Sequence, residues 1–175
     1  MKAVFLDRDG TIAYDVPYCS RPEDFVLMPG AAEAIARLNK AGFMVVVITN
    51  QSGIARGLFT AEILEQIHRK MRITVAEAGG EIERVYYCPH MPDSGCSCRK
   101  PGVSLFIEAE HELGIEMQKS FVIGDQLADM IAGNRCGCRT VLVWSKDTEA
   151  DVFMKSHVDF TCNSILKGAK WIAKR

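Results

Sequence analysis

The sequence predicts an α/β fold: a three-layer, doubly wound parallel sheet. Three observations predict it. Short apolar segments alternate along the chain with longer segments whose apolar residues recur at helical spacing. One short segment, Phe43 to Ile48, is apolar throughout and rich in β-branched residues, as in a central strand covered on both faces. Three of the apolar segments end in polar residues: Asp7-Arg8-Asp9, Thr49-Asn50-Gln51 and Gly124-Asp125. Doubly wound sheets bind ligands beyond the carboxyl ends of their strands. The fold is therefore expected to gather these distant residues at one rim.

The elements follow in order. Lys2 to Leu6 reads as a buried strand. Residues 10–28 contain two prolines and no long period, and read as a loop with room for a small hairpin. Pro29-Gly30 opens a helix whose Ala31, Ile35 and Leu38 share a face, and Ala41-Gly42 closes it. The strand 43–48 comes next. Thr60 is placed to cap a helix carrying Ile63, Ile67, Met71 and Val75, which Gly79-Gly80 stops. Arg84 to Tyr87 reads as a strand, 103–113 as helix, 120–123 as strand, 128–135 as helix and 140–143 as strand. Beyond Trp144 the pattern weakens to a strand near 158–160 and a helix near 165–173.

With 175 residues, the chain is expected to form one domain, residues 1–175. Lys and Arg total 21 against 22 Asp and Glu, a net charge of −1. No broad basic field is available to hold nucleic acid by its phosphates. No apolar run approaches the roughly 20 residues of a membrane span. The N-terminus reaches Asp7 too soon for an export signal. The expectation is a cytoplasmic protein, monomeric, with a small-molecule substrate and neither membrane nor nucleic-acid partner.

The strand-end residues suit a definite chemistry. Asp7 and Asp9, two apart, with Asp125 at another strand end, form a carboxylate cluster that needs a cation. Hard oxygen ligands with room for water suit Mg²⁺. Thr49 offers a hydroxyl and Lys100 an ammonium for phosphate oxygens. A carboxylate nucleophile, a second carboxylate as proton donor, Mg²⁺ and a lysine together describe phosphoryl transfer through an aspartyl-phosphate.

Seven cysteines are present, three of them packed with a histidine into one loop: Cys88, His90, Cys96 and Cys98. Three thiolates and an imidazole complete a tetrahedral zinc shell with no open position, so the expected zinc is structural. Arg99 and Lys100 follow at once, so the loop is expected to place them. Cys136 and Cys138 read as small packing residues, and Cys19 and Cys162 carry no signal. His68, His111 and His157 read as surface residues.

The segments Asp7-Arg8-Asp9-Gly10-Thr11, Thr49-Asn50-Gln51-Ser52-Gly53, Arg99-Lys100-Pro101 and Gly124-Asp125 with Asp129 resemble, in order, the four motifs of haloacid-dehalogenase (HAD) superfamily phosphatases. The resemblance implies an HAD-like Rossmannoid fold. It implies Asp7 as nucleophile and Asp9 as general acid/base. It implies Mg²⁺ on Asp7, the Asp9 carbonyl and Asp125. Thr49, with Asn50 beside it, and Lys100 would grip the phosphoryl group, and Asp129 would orient Lys100. No segment between the motifs is long enough for a cap domain, which leaves the site open. Asp15, Tyr18, Arg56 and Arg99 are the candidates for gripping sugar hydroxyls or a second phosphate.

The zinc loop together with residues 49–57 is similar to the D,D-heptose 1,7-bisphosphate phosphatase family, which implies removal of the 7-phosphate. The histidinol-phosphate phosphatase domains share the zinc loop and the first motif, and stay as an alternative. Where the heptose enzymes usually carry lysine after the fourth-motif aspartate, this chain has Gln126. Outside this class, a DNA 3′-end phosphatase and a non-enzymatic phosphosugar-binding protein remain open.

Overall fold

A computed structural model describes residues 1–144 and 158–175. The expected strand at 158–160 and the histidine at 157 border or fall in the remaining stretch, and His157 lies outside the described residues. Six strands form one all-parallel sheet: β1 (Ala3–Leu6), β2 (Met44–Asn50), β3 (Arg84–Cys88), β4 (Phe121–Gly124), β5 (Arg139–Val143) and β6 (Phe160–Cys162). Their order across the sheet is β3-β2-β1-β4-β5-β6. Among the described residues the α-helices are α1 (Ala31–Lys40), α2 (Ala61–Glu77), α3 (Ser104–Leu113), α4 (Leu127–Arg135) and α5 (Ile165–Ile172).

Side chains alternate across each strand, and that alternation makes the three layers. Val4 and Leu6 of β1, with Val45 and Val47 of β2, pack into a core with Ile35 and Leu38 of α1, Ile67 and Met71 of α2 and Ile172 of α5. Ala3 and Phe5, with Val46 and Ile48, face the opposite core, which holds Phe106 and Ala109 of α3 and Ala132 of α4. Phe5 and Phe106 meet there with ring centroids 5.0 Å apart.

The strand order reverses direction between β1 and β4, which are paired neighbours (Leu6 against Ile123). Such a switch point opens a crevice at the carboxyl ends of the two strands. The Asp7 N–H still donates to the Ile123 carbonyl at 3.0 Å, so the pairing runs to the lip of the crevice.

Element boundaries agree with the sequence reading to within one or two residues. The expected hairpin in 10–28 reduces to single bridges, Asp9 with Ala13 and Ala13 with Leu27, plus a 3₁₀ turn at Pro22–Asp24. Lys70 of α2 pins that loop by donating to the carbonyls of Pro22 (2.7 Å) and Phe25 (2.9 Å). The last strand starts two residues later than expected. Asp159 meets Thr140 twice, donating its N–H to the carbonyl at 3.0 Å and taking the Thr140 N–H on its carboxylate at 2.7 Å, and the register with β5 begins at Phe160.

Leu38 is fully buried between α1 and the sheet. Leu38→Ala is expected to cost about 2–5 kcal/mol in a urea unfolding titration. A loss below about 1 kcal/mol would show that α1 does not pack as described.

Candidate active site

A cavity of about 620 Å³ opens at the switch point and is lined by Asp7, Asp9, Asp15, Tyr18, Thr49, Asn50, Arg99, Lys100, Asp125 and Asp129. Ten of the eleven expected carboxylate and substrate positions thus share one crevice, although they come from four separate stretches of sequence. Arg56 is the exception: it is exposed outside the lining, with its guanidinium carbon 5.4 Å from the Tyr18 ring centroid.

Lys100 is the hub. Its ammonium lies 2.7 Å from Asp7 Oδ1, 2.6 Å from Asp129 Oδ1 and 2.7 Å from the Ile48 carbonyl. Its three donors are thereby matched to three acceptors. The side chain is only 4% exposed. Burial works against its charge, but Asp129 and Asp7 outweigh burial and hold the ammonium well above its usual range.

Asp129 is fixed from the other side. It is the third residue of α4, and its Oδ2 accepts the N–H of Gln126 at 3.1 Å in a capping box. Gly124 makes this approach possible, because a Cβ there would lie 2.4 Å from the Asp129 Cβ. The Asn50 carboxamide clamps the Lys100 backbone, accepting its N–H at 3.0 Å and donating to its carbonyl at 3.3 Å. The Asn50 side-chain amide therefore has a task beyond the one expected of it: it holds Lys100 in place.

Asp9 is held just as firmly. Arg8 Nε and Nη2 donate to its two oxygens at 3.0 and 2.9 Å, and Gln51 Nε2 donates to Oδ2 at 2.8 Å. The same Gln51 nitrogen donates to the buried Thr49 hydroxyl at 2.8 Å, so the second acid and the threonine are tied together. The sequence reading assigned no role to Arg8 or Gln51. It also placed His68 on the surface, which the structure corrects. His68 is 1% exposed, and its Nε2 lies 3.3 Å from Arg8 Nη1. It sits on the inner face of α2 with Leu64, Met71 and Val75. That 64/68/71/75 spacing is the signal that could have found it. His111 is exposed as expected.

The carboxylates fit a divalent cation. One oxygen from each of Asp7, Asp125 and Asp129 lies within 4.8 Å of the others. Asp129 is already committed to Lys100 and the α4 N-terminus, which leaves Asp7 and Asp125 in want of positive charge. Burial, with Asp129 and Asp9 adding repulsion against the pull of Lys100, pushes Asp7 up to about 7. Burial first and Asp7 second push Asp125 up to about 6. Two carboxyls so disfavoured as anions are the donor set that a hard cation relieves. Gly10, at φ 79°, lets the chain turn beneath Asp125, where a Cβ would lie 2.4 Å from Oδ2.

The cysteine loop fits zinc. Cys98 Sγ lies 3.0 Å from Cys88 Sγ, 3.6 Å from Cys96 Sγ and 3.2 Å from His90 Nδ1. Ligands about 2.0–2.3 Å from a shared centre would stand roughly 3.5–3.8 Å apart; edges of 3.0–3.6 Å show the four converging on one point, somewhat tighter than that shell. The loop is coupled to the crevice. Cys88 is the last residue of β3, pairs with Asn50, and its carbonyl accepts the Gln51 N–H at 2.7 Å. Arg99 reaches the His90 carbonyl at 3.5 Å. The other cysteines behave as packing residues: Cys138 is buried with its thiol 3.6 Å from the Met117 sulfur.

An all-parallel sheet with two acids after its first strand and a buried lysine across the crevice has the layout of an HAD-like hydrolase, and residues 97–167 match the HAD-hydrolase-like family. The chain belongs to the D-glycero-β-D-manno-heptose-1,7-bisphosphate 7-phosphatase family within that group. It is 46% identical over 146 residues to the Pseudomonas putida member, covering 82% of each chain. It is 42% identical over 160 residues to the Photorhabdus laumondii member, covering 85% of each. The solved structure of the Bordetella bronchiseptica D,D-heptose 1,7-bisphosphate phosphatase, in complex with magnesium and phosphate, superposes with a TM-score of 0.87 at 33% identity over 99% of both chains.

Two outcomes follow from this geometry. Gly124→Ala should push Asp129 off Lys100 and lower kcat by about 100-fold, the cost of an ångström-scale misplacement; unchanged kcat would show that the contact is not critical. Metal analysis should find about one zinc per chain, and Cys98→Ser should lose it together with part of the melting temperature. A chain that keeps its zinc in that variant would contradict the ligand assignment.

Proposed function

We propose that the chain is a Mg²⁺-dependent phosphatase that hydrolyses the 7-phosphate ester of D-glycero-β-D-manno-heptose 1,7-bisphosphate through an aspartyl-phosphate on Asp7. The observation that carries this reading is the pairing of two differently held carboxylates in one crevice. Asp7 is bonded to an ammonium through Oδ1 alone, whereas Asp9 is held at both oxygens by Arg8 and Gln51. Two acids in unlike environments are suited to unlike tasks. The relatives named for this activity support the choice of substrate.

In this reading the free oxygen of Asp7 attacks phosphorus, and the bond from phosphorus to the sugar oxygen breaks. Asp9 gives its proton to the departing alkoxide. Asp9, now a carboxylate, takes a proton from water as that water attacks the phosphorus of the acyl phosphate. The bond from Asp7 to phosphorus breaks, inorganic phosphate leaves, and both acids return to their starting states. The Thr49 hydroxyl holds one phosphoryl oxygen, Lys100 turns towards another the N–H that it gives Asp7 Oδ1 before substrate binds, and Asp129 and Asn50 keep Lys100 in register. Asp7, the Asp9 carbonyl and Asp125 would hold Mg²⁺, which supplies positive charge against the phosphoryl oxygens.

Arg99 lines the cavity and forms no ion pair among the described residues, so it is the cation available to the far end of the sugar bisphosphate. Asp15 and Tyr18 stand at the mouth for hydroxyl contacts, with Arg56 behind Tyr18. Gln126 donates to Asp125 Oδ2 at 2.8 Å and offers substrate a neutral amide in place of a cation. The same reading takes residues 1–175 as one domain acting as a cytoplasmic monomer. Among the described residues no helix is long and apolar enough to cross a membrane.

Phosphate release should be faster, by kcat/KM, from the heptose bisphosphate than from histidinol phosphate. It should stop on chelation of Mg²⁺ without unfolding and fall to background in Asp7→Asn. A preference for histidinol phosphate would overturn the substrate assignment, and an active Asp7→Asn enzyme would overturn the mechanism.

A further inference from the structure

Arg8 is an unusual side chain to bury. It is 1% exposed at the floor of the crevice, and the carboxylate it serves belongs to the next residue. Its Nε and Nη2 grip Asp9, which leaves Nη1 to be satisfied from the protein interior. The group that meets Nη1 is His68 Nε2, at 3.3 Å, from the inner face of α2. A guanidinium only donates, so Nε2 is an acceptor and the ring proton lies on Nδ1. Burial, together with the neighbouring Arg8 and Arg72, pushes His68 down to about 3, so the ring stays a neutral acceptor across the working range of pH. Tyr87 of β3 flanks the ring, with centroids 6.1 Å apart. His68 therefore has a fixed position, a fixed tautomer and one polar partner on the Asp9 side.

We infer that His68 is a positioning residue for the proton-transfer step, acting on Asp9 through the guanidinium of Arg8. The inference rests on the reading of Asp9 as general acid/base. A planar fork fixes the orientation of a carboxylate only if the fork is itself fixed. Gln51 restrains a single oxygen of Asp9, whereas Arg8 restrains both, so the plane of the carboxylate depends on what anchors Arg8. Removing the acceptor at residue 68 would leave a buried N–H unpaired and free the guanidinium to turn towards another partner. His68 touches no substrate, so the loss should fall on kcat.

The test compares His68→Leu with His68→Gln, whose amide oxygen can replace the acceptor, in the Mg²⁺- and Zn²⁺-loaded enzyme with the heptose bisphosphate and with p-nitrophenyl phosphate. His68→Leu should lower kcat by about 10-fold, part of the 10²–10⁴ that a positioned acid supplies, with KM nearly unchanged and the melting temperature lower by a few degrees, the cost of the unpaired N–H. His68→Gln should recover most of that loss. In an Arg8→Met background, His68→Leu should add little, since the two act in series. If His68→Leu does not fold, His68→Met serves as the variant without a matched acceptor. Equal loss in the Leu and Gln variants, an effect confined to KM, or full additivity with Arg8→Met would overturn the inference. Asp9→Asn is run alongside. If it is inactive while His68→Leu matches wild type, the role of His68 fails alone; if it turns over normally, the reading of Asp9 itself fails.

Discussion

The structure depends on one buried ammonium. Lys100 stands between Asp7 and Asp129 at 2.7 and 2.6 Å and donates its last proton to the Ile48 carbonyl. Removing it would leave two buried carboxylates unpaired, at a cost of about 3–5 kcal/mol. The surrounding architecture is arranged to bring it there. The β2 strand end supplies the carbonyl and the Asn50 clamp, β1 delivers Asp7, and the first turn of α4 delivers Asp129. Because Asp129 takes up part of the positive charge, Lys100 cannot fully neutralise Asp7. Asp7 and Asp125 are left as the pair that calls for a metal ion.

The cysteine loop belongs to the same arrangement. Lys100 follows the last zinc-type ligand by two residues, and its main chain is stitched to β2 through Asn50. Gln51, which holds Asp9 and Thr49, takes its own main-chain anchor from the Cys88 carbonyl. A loop that carries the ligands for a metal thus ties to the backbone on both sides of the crevice without contributing a reacting atom.

Much of this was legible in the sequence, for physical reasons. Parallel strands buried on both faces are continuous apolar runs, and their polar ends stand out in 1–9, 43–51 and 120–125. Ligands packed two and six residues apart make the zinc loop a local pattern. Contacts that depend on a side chain's final direction were less legible. Asn50 was identified by its position at a strand end, but only the fold shows its amide turned to the Lys100 backbone. Arg8 and His68 are polar residues that ordinarily favour solvent, and they are buried because each satisfies the other across 60 positions of sequence. At the start of β6 the Asp159 carboxylate takes the Thr140 N–H, a side-chain contact that no periodicity reveals.

The central claim is that Asp7 carries the phosphoryl group. The direct measurement is acid quench of a pre-steady-state reaction with p-nitrophenyl phosphate, followed by borohydride reduction and peptide mass spectrometry. An acyl phosphate on Asp7 is reduced to homoserine, so the account predicts homoserine at residue 7 in step with the burst of leaving group. Homoserine at another residue, or a burst that leaves Asp7 unmodified, would contradict it.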